Sequence, residues 1–346
     1  MTDTSEAPRR RTTLKDVAIR SGVTVSTVSK VVNNRPDVGA EVRRRVLETI
    51  DLMEFRPNPV ARGLRTQRSD TIAIVTDDLE GIFTTAMMRG VEDAASIAGM
   101  GVLLCNSYGE PEREAQQLRR LLDRQIDALI FMSGNRVGPR PDPALPIPGD
   151  VPVAYLYEYG SPDIPAILPD DEGGARLAVE HLAACGASSI AFLNGPREWE
   201  ATGDRLRGYE VGLTHLGRSL DPGLIATSPS WTPEDGYHAM SQLLEQRPNL
   251  DAVFCGSDDL AVGALALLRD RGIDVPTEVQ VVGFDDRSLA VHQRPPLTTV
   301  ALPLHEMGVR AGELVLNPRH AVTEAPALDR VPCTLIERQS TRNQTS

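Results

Sequence analysis

The chain has only four cysteines and six histidines in 346 residues, and neither set clusters. Cys105, Cys185, Cys255 and Cys333 lie far apart, form no C-x-x-C pair and mostly sit inside apolar runs such as Val102-Leu-Leu-Cys105. That spacing excludes a disulfide framework or a zinc site and points to reduced core residues. Long apolar runs are missing as well. None approaches the roughly 18 residues of a membrane span, and the N-terminus has no apolar signal core. A soluble, cytoplasmic protein with no membrane partner is expected. No phosphate-cradling glycine loop, nucleophile elbow or grouped His ligands occur, so no cofactor, no metal and no catalytic residue is expected.

Positive charge is scarce overall, with 36 Lys+Arg against 48 Asp+Glu and a net charge of -12. The deficit is uneven. Met1 to Arg68 holds 14 basic and 8 acidic residues, net +6, which leaves 22 against 40, net -18, for the remainder. Only the head is suited to approach a polyanion.

The head also carries the most informative motif, Thr13 to Asn33. Thr13 with Asp16 three residues later predicts a capping-box start, and Leu14, Val17 and Ala18 make the stripe of a first helix ended by Gly22. Thr24 caps a second helix with Val28, Val31 and Val32 inward. Val25, Ser26, Ser29, Lys30 and Asn33 then lie on or near the outer face, where they can reach a major groove. The alternative is a helical hairpin whose polar face is merely solvated; the coincident positive charge favours DNA. A third helix is expected from about Ala40 to Met53, with Val46, Leu47, Ile50 and Met53 on one face. Asn58 as N-cap and Pro59 at the first position start a further short helix through Val60, Ala61 and Leu64. It is too short to be well populated without a partner.

From Thr71 onward, short aliphatic runs alternate with helical stretches, which predicts parallel sheets with crossover helices. Thr71–Val75, Gly101–Cys105, Ala128–Phe131 and Val153–Leu156 suit one sheet; Ser189–Leu193, Ala252–Phe254 and Val279–Val282 suit a second. Expected helices run from Glu172 to Cys185, Arg205 to Leu216, Thr232 to Glu245 and Leu260 to Arg271. The Pro-rich segment 139–152 is expected as a surface loop. Two open α/β lobes leave a cleft at the carboxyl ends of their strands, the usual place for a small ligand.

Leu14-Lys-Asp-Val-Ala18, Gly22-Val23, Thr27-Val-Ser29, Val31-Val-Asn33, Arg56-Pro-Asn58 and Ala61-Arg-Gly-Leu64 resemble the head of the lactose repressor/galactose repressor (LacI/GalR) family of bacterial transcription regulators. The resemblance runs nearly to Arg338 through Asp170–Ala175, Arg205-Leu-Arg-Gly-Tyr209, Ser257-Asp-Asp259, Val282–Asp286, Leu297-Thr-Thr299 and Leu335–Arg338. It implies a helix-turn-helix head on a core of two doubly wound lobes, similar to periplasmic sugar-binding proteins, joined by three crossings. The implied domains are 1–57 (DNA-binding head), 58–70 (hinge helix and linker), 71–338 (core) and 339–346 (polar tail). The first lobe is expected at about 71–165 and 298–325, and the second at about 166–297 and 326–338.

By resemblance, Val25, Ser26 and Lys30 read base edges, while paired hinge helices of a homodimer push Leu64 into the minor groove of a pseudo-palindromic operator. Such a wedge unstacks a base step and bends the duplex. Lys30 can donate to guanine but lacks the fork of Arg, and a phosphate contact is its alternative. Thr13, Thr24, Thr27, Arg20, Arg35, Arg62 and Arg65 suit phosphates. Gly39 stands where relatives commonly have a Ser cap.

In the core, the resemblance places Arg205, Ser257 and Asp285 at an effector pocket; a guanidinium, a hydroxyl and a carboxylate suit a sugar or glycoside. Phe83, Tyr157 and Trp199 follow strands and can offer flat apolar faces, with ordinary core or rim packing as their alternative. Asp258, Asp259 and Asp286 serve equally as caps or lobe ties. Gly81-Ile-Phe-Thr84 and Leu302 depart from common family residues, so effector identity does not carry over. Two other classes remain in view: a solute-binding protein, and an α/β enzyme using Asp258, Asp285 or His181. The first predicts a signal peptide and no basic head.

Overall fold

The computed structural model describes residues 12–56, 68–134, 137–317 and 328–343. These fall into two units that divide after Ser69. In the first, helices α1 (Leu14–Ser21), α2 (Val25–Val32) and α3 (Ala40–Leu52) close on Val17, Ala18, Val28, Val31, Val46 and Phe55. The local chemistry explains the boundaries. Thr13 and Asp16 form the reciprocal capping box, Gly22 takes the left-handed conformation at φ 67°, and the Thr24 hydroxyl accepts from the Thr27 amide. Gly39 precedes α3 with no side-chain cap. Leu47 departs from expectation: it is 45% exposed, and Val42, Val46, Ile50 and Met53 face the core instead. An i, i+4 step keeps one face, whereas position 47 is rotated about 100° from 46.

The second unit holds two six-stranded sheets. The first consists of β1 (Thr71–Thr76), β2 (Gly101–Asn106), β3 (Ala128–Met132), β4 (Val153–Leu156), β5 (Ala166–Asp170) and β11 (Leu328–Pro332), ordered β11-β5-β4-β3-β1-β2 and all parallel. The second consists of β6 (Ile190–Asn194), β7 (Ile225–Thr227), β8 (Ala252–Cys255), β9 (Gln280–Asp285), β10 (Thr298–Ala301) and β12 (Thr334–Ile336), ordered β12-β10-β9-β8-β6-β7. Among the described residues only β12 runs antiparallel, against β10. The crossover helices are α4 (Thr84–Ile97), α5 (Pro111–Asp123), α6 (Asp171–Ala184), α7 (Glu200–His215), α8 (Pro233–Gln246), α9 (Asp258–Asp270) and α10 (Leu304–Leu316). Helices α4 and α10 cross at Gly90 and Gly308, so closely that a Cβ on Gly308 would lie 2.0 Å from the Met87 carbonyl oxygen.

Among the described residues the chain passes between lobes three times, at Asp170–Asp171, after Ala301 and at Cys333. This moves the expected lobe borders. Residues 166–170 and 328–332 pair in the first sheet, whereas 298–301 pair in the second. A strand's sheet is chosen by its backbone partner, which local pattern does not reveal. Helix α7 begins at Glu200, five residues before the expected start, because Glu200 to Asp204 carries no apolar periodicity.

The expected polar tail is corrected too. Ser340 is fully buried; its hydroxyl donates to Val281 O at 2.6 Å and accepts from Thr298 N at 2.8 Å. Thr341 meets Thr298 and His181, each at 3.0 Å, and Arg342 N donates to Gln280 Oε1 at 2.9 Å. These hydroxyls satisfy backbone groups at the starts of β9 and β10, which is why a polar segment stays buried. All four cysteines are free, three of them buried.

Candidate functional sites

Helix α2 presents Val25, 44% exposed, together with exposed Ser26 and Lys30. Val28 and Val31 anchor its opposite face in the head core. Thr24 and Thr27 bond to each other at the helix start, their hydroxyls 2.9 Å apart. The Asn33 amide donates to the Ser29 carbonyl and lies 3.3 Å from the Ser29 hydroxyl, so these two outer-face residues engage one another. Lys30 Nζ lies 2.6 Å from Asp37 Oδ2 in the loop after α2, both side chains about half exposed. This hydrogen bond with Lys30 holds the Asp37 carboxyl below the usual carboxylate range. Arg35 is exposed, and its carbonyl accepts from Arg43. The expected contacts Asn58, Ala61, Arg62 and Leu64 lie outside the described residues.

In the core, the pivotal side chain is Arg205 on α7, 3% exposed. Its Nε and Nη2 lie 2.9 and 2.8 Å from Asp171 Oδ1, Nη2 is 3.4 Å from Asp285 Oδ1, and Nη1 donates to the Gly256 carbonyl. The guanidinium carbon sits 3.9 Å above the Phe284 ring. Burial opposes its charge, but Asp171 and Asp285 outweigh burial and raise its pKa further. Asp285 shares that cation with Asp171, and burial pushes its carboxyl well above the ordinary range. When protonated, the Asp285 carboxyl can donate as well as accept towards a hydroxyl.

The other expected residues are held by neighbours of their own. Tyr157, at φ 61° after β4, is 4% exposed. Its ring lies 5.6 Å from that of Phe83, which packs against the hydrophobic clusters of both lobes. Ser257 sits beside Gly256 but caps α9, accepting from Leu260 N at 3.2 Å, which leaves its proton and one lone pair for a ligand. Trp199 stands edge-on to Trp231 at 6.0 Å. Trp231 escaped the sequence reasoning, since the three-residue strand before it gave no strand signal. It fills the space over Gly195, where a Cβ would lie 2.2 Å from its ring, and it lies 5.8 Å from the Arg205 guanidinium. Asp171, also unassigned from sequence, follows Asp170, which caps α6 and thereby aims the next carboxylate inward.

Residues 13–58 match the family described as "Bacterial regulatory proteins, lacI family", and residues 179–341 match a periplasmic binding protein-like domain. Catabolite control protein A of Priestia megaterium is 33% identical over 331 residues, 95% of this chain and 99% of that protein. The chain belongs to the lacI family of bacterial regulatory proteins. The regulator GalR of Escherichia coli (strain K12) is 35% identical over 88% of each chain. Among solved structures, the lac repressor dimer bound to operator and the anti-inducer ONPF is 26% identical with a TM-score of 0.77, covering 96% of this chain and 100% of that one. The complex of the regulator CelR with cellobiose is 30% identical with a TM-score of 0.65, covering 95% and 100%.

A lacI-family chain is a DNA-binding transcriptional regulator, and the enzyme alternative gives way to it. Asp258 and His181, considered for catalysis, have structural work, as do Asp259 and Asp286, expected as caps or lobe ties. Asp258 accepts from Thr299 Oγ1 at 2.6 Å and Arg287 N at 2.7 Å; Asp259 pairs with Arg287, and Asp286 with Arg338 at 2.6 Å. These contacts tie the ends of β9, β10 and α9 together. His181 is buried against Thr341 and Cys185. Among the described residues, no helix is long and apolar enough to cross a membrane.

Proposed function

We propose that this lacI-family regulator is a cytoplasmic homodimeric repressor that binds a pseudo-palindromic operator and changes its affinity when a sugar or glycoside enters between the core lobes. The observation that carries the reading is Arg205 with its two carboxylates. A buried guanidinium, a carboxyl able to donate or accept, and the rings of Trp231 and Tyr157 converge where both lobes meet. Sugars need that combination of fixed polar groups and apolar faces. A ligand touching both lobes binds one lobe arrangement better than another and so biases the equilibrium between them. By reciprocity, operator and effector affinities are then coupled, typically by about 1–3 kcal/mol.

In the head, Val25, Ser26 and Lys30 read bases, with Thr13, Thr24, Thr27, Ser29, Asn33 and Arg35 at or near the backbone. Asn58, Ala61, Arg62 and Leu64 form the hinge contribution. The test selects duplexes from a random library with purified protein, then titrates the winner with a panel of sugars. The reading expects an inverted repeat whose affinity shifts at least severalfold with one sugar. Enrichment of no symmetrical sequence, or indifference to every sugar, defeats it.

A further inference from the structure

Asp37 brings a carboxylate to the face of α2 that exposes Val25, Ser26 and Lys30. Its Oδ2 lies 2.6 Å from Lys30 Nζ, and both side chains are about half exposed. The loop between α2 and α3 fixes that position from several sides. Asn34 takes the left-handed conformation at φ 50°, Arg35 N donates to the Lys30 carbonyl at 2.9 Å, and Val38 packs against the head core. From α3, Arg43 donates to Asn34 Oδ1 at 2.9 Å and to the Arg35 carbonyl. The carboxylate therefore sits on a braced loop.

An ammonium alone has three protons and no acceptor, so it meets guanine O6 and N7, adenine N7 and thymine O4 alike. A carboxylate beside it changes the reading. Lys30 gives one proton to Asp37 and keeps two, and Asp37 places an acceptor next to them. A donor and an acceptor 2.6 Å apart suit a major-groove edge that shows an acceptor beside a donor. Two base pairs do so, G·C through O6 and N4 and T·A through O4 and N6, and each pair of atoms is about 2.9 Å apart because a hydrogen bond joins them. Guanine also offers N7 to the second ammonium proton, whereas thymine sets a methyl group there, which favours G·C. Turned round, C·G and A·T set a donor against the ammonium and an acceptor against the carboxylate. Both contacts repel.

We propose that Asp37 is a specificity-determining residue of the head: Lys30 donates to guanine O6 and N7 while Asp37 accepts from cytosine N4, so the two together recognise one G·C pair in one orientation. The inference rests on the operator reading above and adds to it a reader outside α2. A carboxylate also repels the phosphates around it, so Asp37 lowers affinity for every duplex and supplies selectivity at one position.

The test measures binding of the full chain to duplexes carrying each of the four base pairs at every position of the selected half-site, for wild type, Asp37→Ala, Asp37→Asn and Lys30→Ala. Both side chains lie at the surface of the head, so the variants keep their fold. Wild-type protein is expected to prefer G·C to C·G by about tenfold or more at one position, the size of a well-made pair of base contacts. Asp37→Ala should cut that preference to about threefold or less, leave the other positions unmoved and bind the best sequence no more weakly. Asp37→Asn, whose amide both donates and accepts, should tolerate the reversed pair, and Lys30→Ala should lose the same preference. Lys15 and Lys30 are the only two lysines of the chain, so acetylation of amines followed by mass spectrometry reports Lys30 directly. The selected duplex should protect it. A preference unmoved by Asp37→Ala, an equal change for all four base pairs, or a Lys30 that acetylates freely on the duplex overturns the inference and leaves the operator reading standing. Recovery of no preferred sequence by wild-type protein overturns both.

Discussion

Nη2 of Arg205 lies 3.4 Å from Oδ1 of Asp285, and Asp285 holds that position with a backbone φ of 105°, outside the range that side chains usually adopt. Such a conformation costs on the order of 1–3 kcal/mol and persists only when its surroundings enforce it. Here the end of β9 is bent so that a carboxylate faces the guanidinium. Arg205→Ala leaves Asp171 and Asp285 buried without a counter-charge, and urea denaturation should show a loss of about 3–5 kcal/mol. At temperatures where the variant stays folded, its operator affinity should remain and its response to sugar should vanish. A normal sugar response removes Arg205 from the pocket.

The Lys30–Asp37 pair holds the expected base reader against its own loop. Asp37→Asn frees the ammonium and removes a negative charge from a surface that meets phosphates. Fluorescence anisotropy at low salt should show roughly two- to fivefold tighter operator binding, shrinking as salt screens the pair. Substituting Lys30 itself should change preference at one base position. A uniform loss over all sequences makes it a phosphate contact.

Stability should fall as pH rises through the carboxylate range. Glu158 is buried beside Arg140, whose Nη1 is 3.4 Å away, and burial pushes its carboxyl from 4.5 up to about 7. Burial likewise pushes Asp258 from 3.8 up to about 6. Between the unfolded and folded values the native state binds more protons than the unfolded one, so stability declines with pH from about 4 to 7 and then levels off. One such proton steepens the decline by at most about 1.4 kcal/mol for each tenfold drop in acidity. Glu158→Gln should flatten the part of this slope between about pH 4.5 and 7 in denaturation curves taken across the range. An unchanged slope means that Glu158 stays ionised in the fold.

Ser340→Ala removes a hydroxyl that serves Val281 O and Thr298 N at once. A buried amide left unsatisfied costs about 1–3 kcal/mol, so the thermal midpoint should drop while operator sequence preference is unaffected. No change in stability indicates that the 339–343 segment is not held through this residue.

Leu64→Ser tests the hinge. The substitution should weaken operator binding by tenfold or more, in line with a wedge that recovers a few kcal/mol of unstacking through added contacts. Sugar affinity should be untouched, and full operator affinity in this variant rules out the wedge.

Much of the fold was legible in the residues themselves. The spacing of Thr13, Asp16 and Gly22 marked α1 to the residue, because caps are local hydrogen bonds between near neighbours. Val28 and Val31 likewise marked the inner face of α2. The candidate site was partly legible: Asp285 pairs with Arg205, Tyr157 lies against Phe83 and Trp199 against Trp231, whereas Trp231 and Asp171 escaped attention. Trp231 follows a three-residue strand, too short to raise a periodic signal, and Asp171 is one acid among several at a helix start.

The amino-acid sequence alone determined the helix-turn-helix head, the alternation of strands and helices in the core, and the charge asymmetry between them, since each depends on residues close together in the chain or on composition. Tertiary structure decided which sheet received Ala166–Asp170, Thr298–Ala301 and Leu328–Pro332, and that Ser340 and Thr341 are buried. It also decided that two carboxylates share Arg205. Backbone pairing and ion pairing join groups tens to hundreds of residues apart, and their energies depend on distance and burial, which no local pattern encodes.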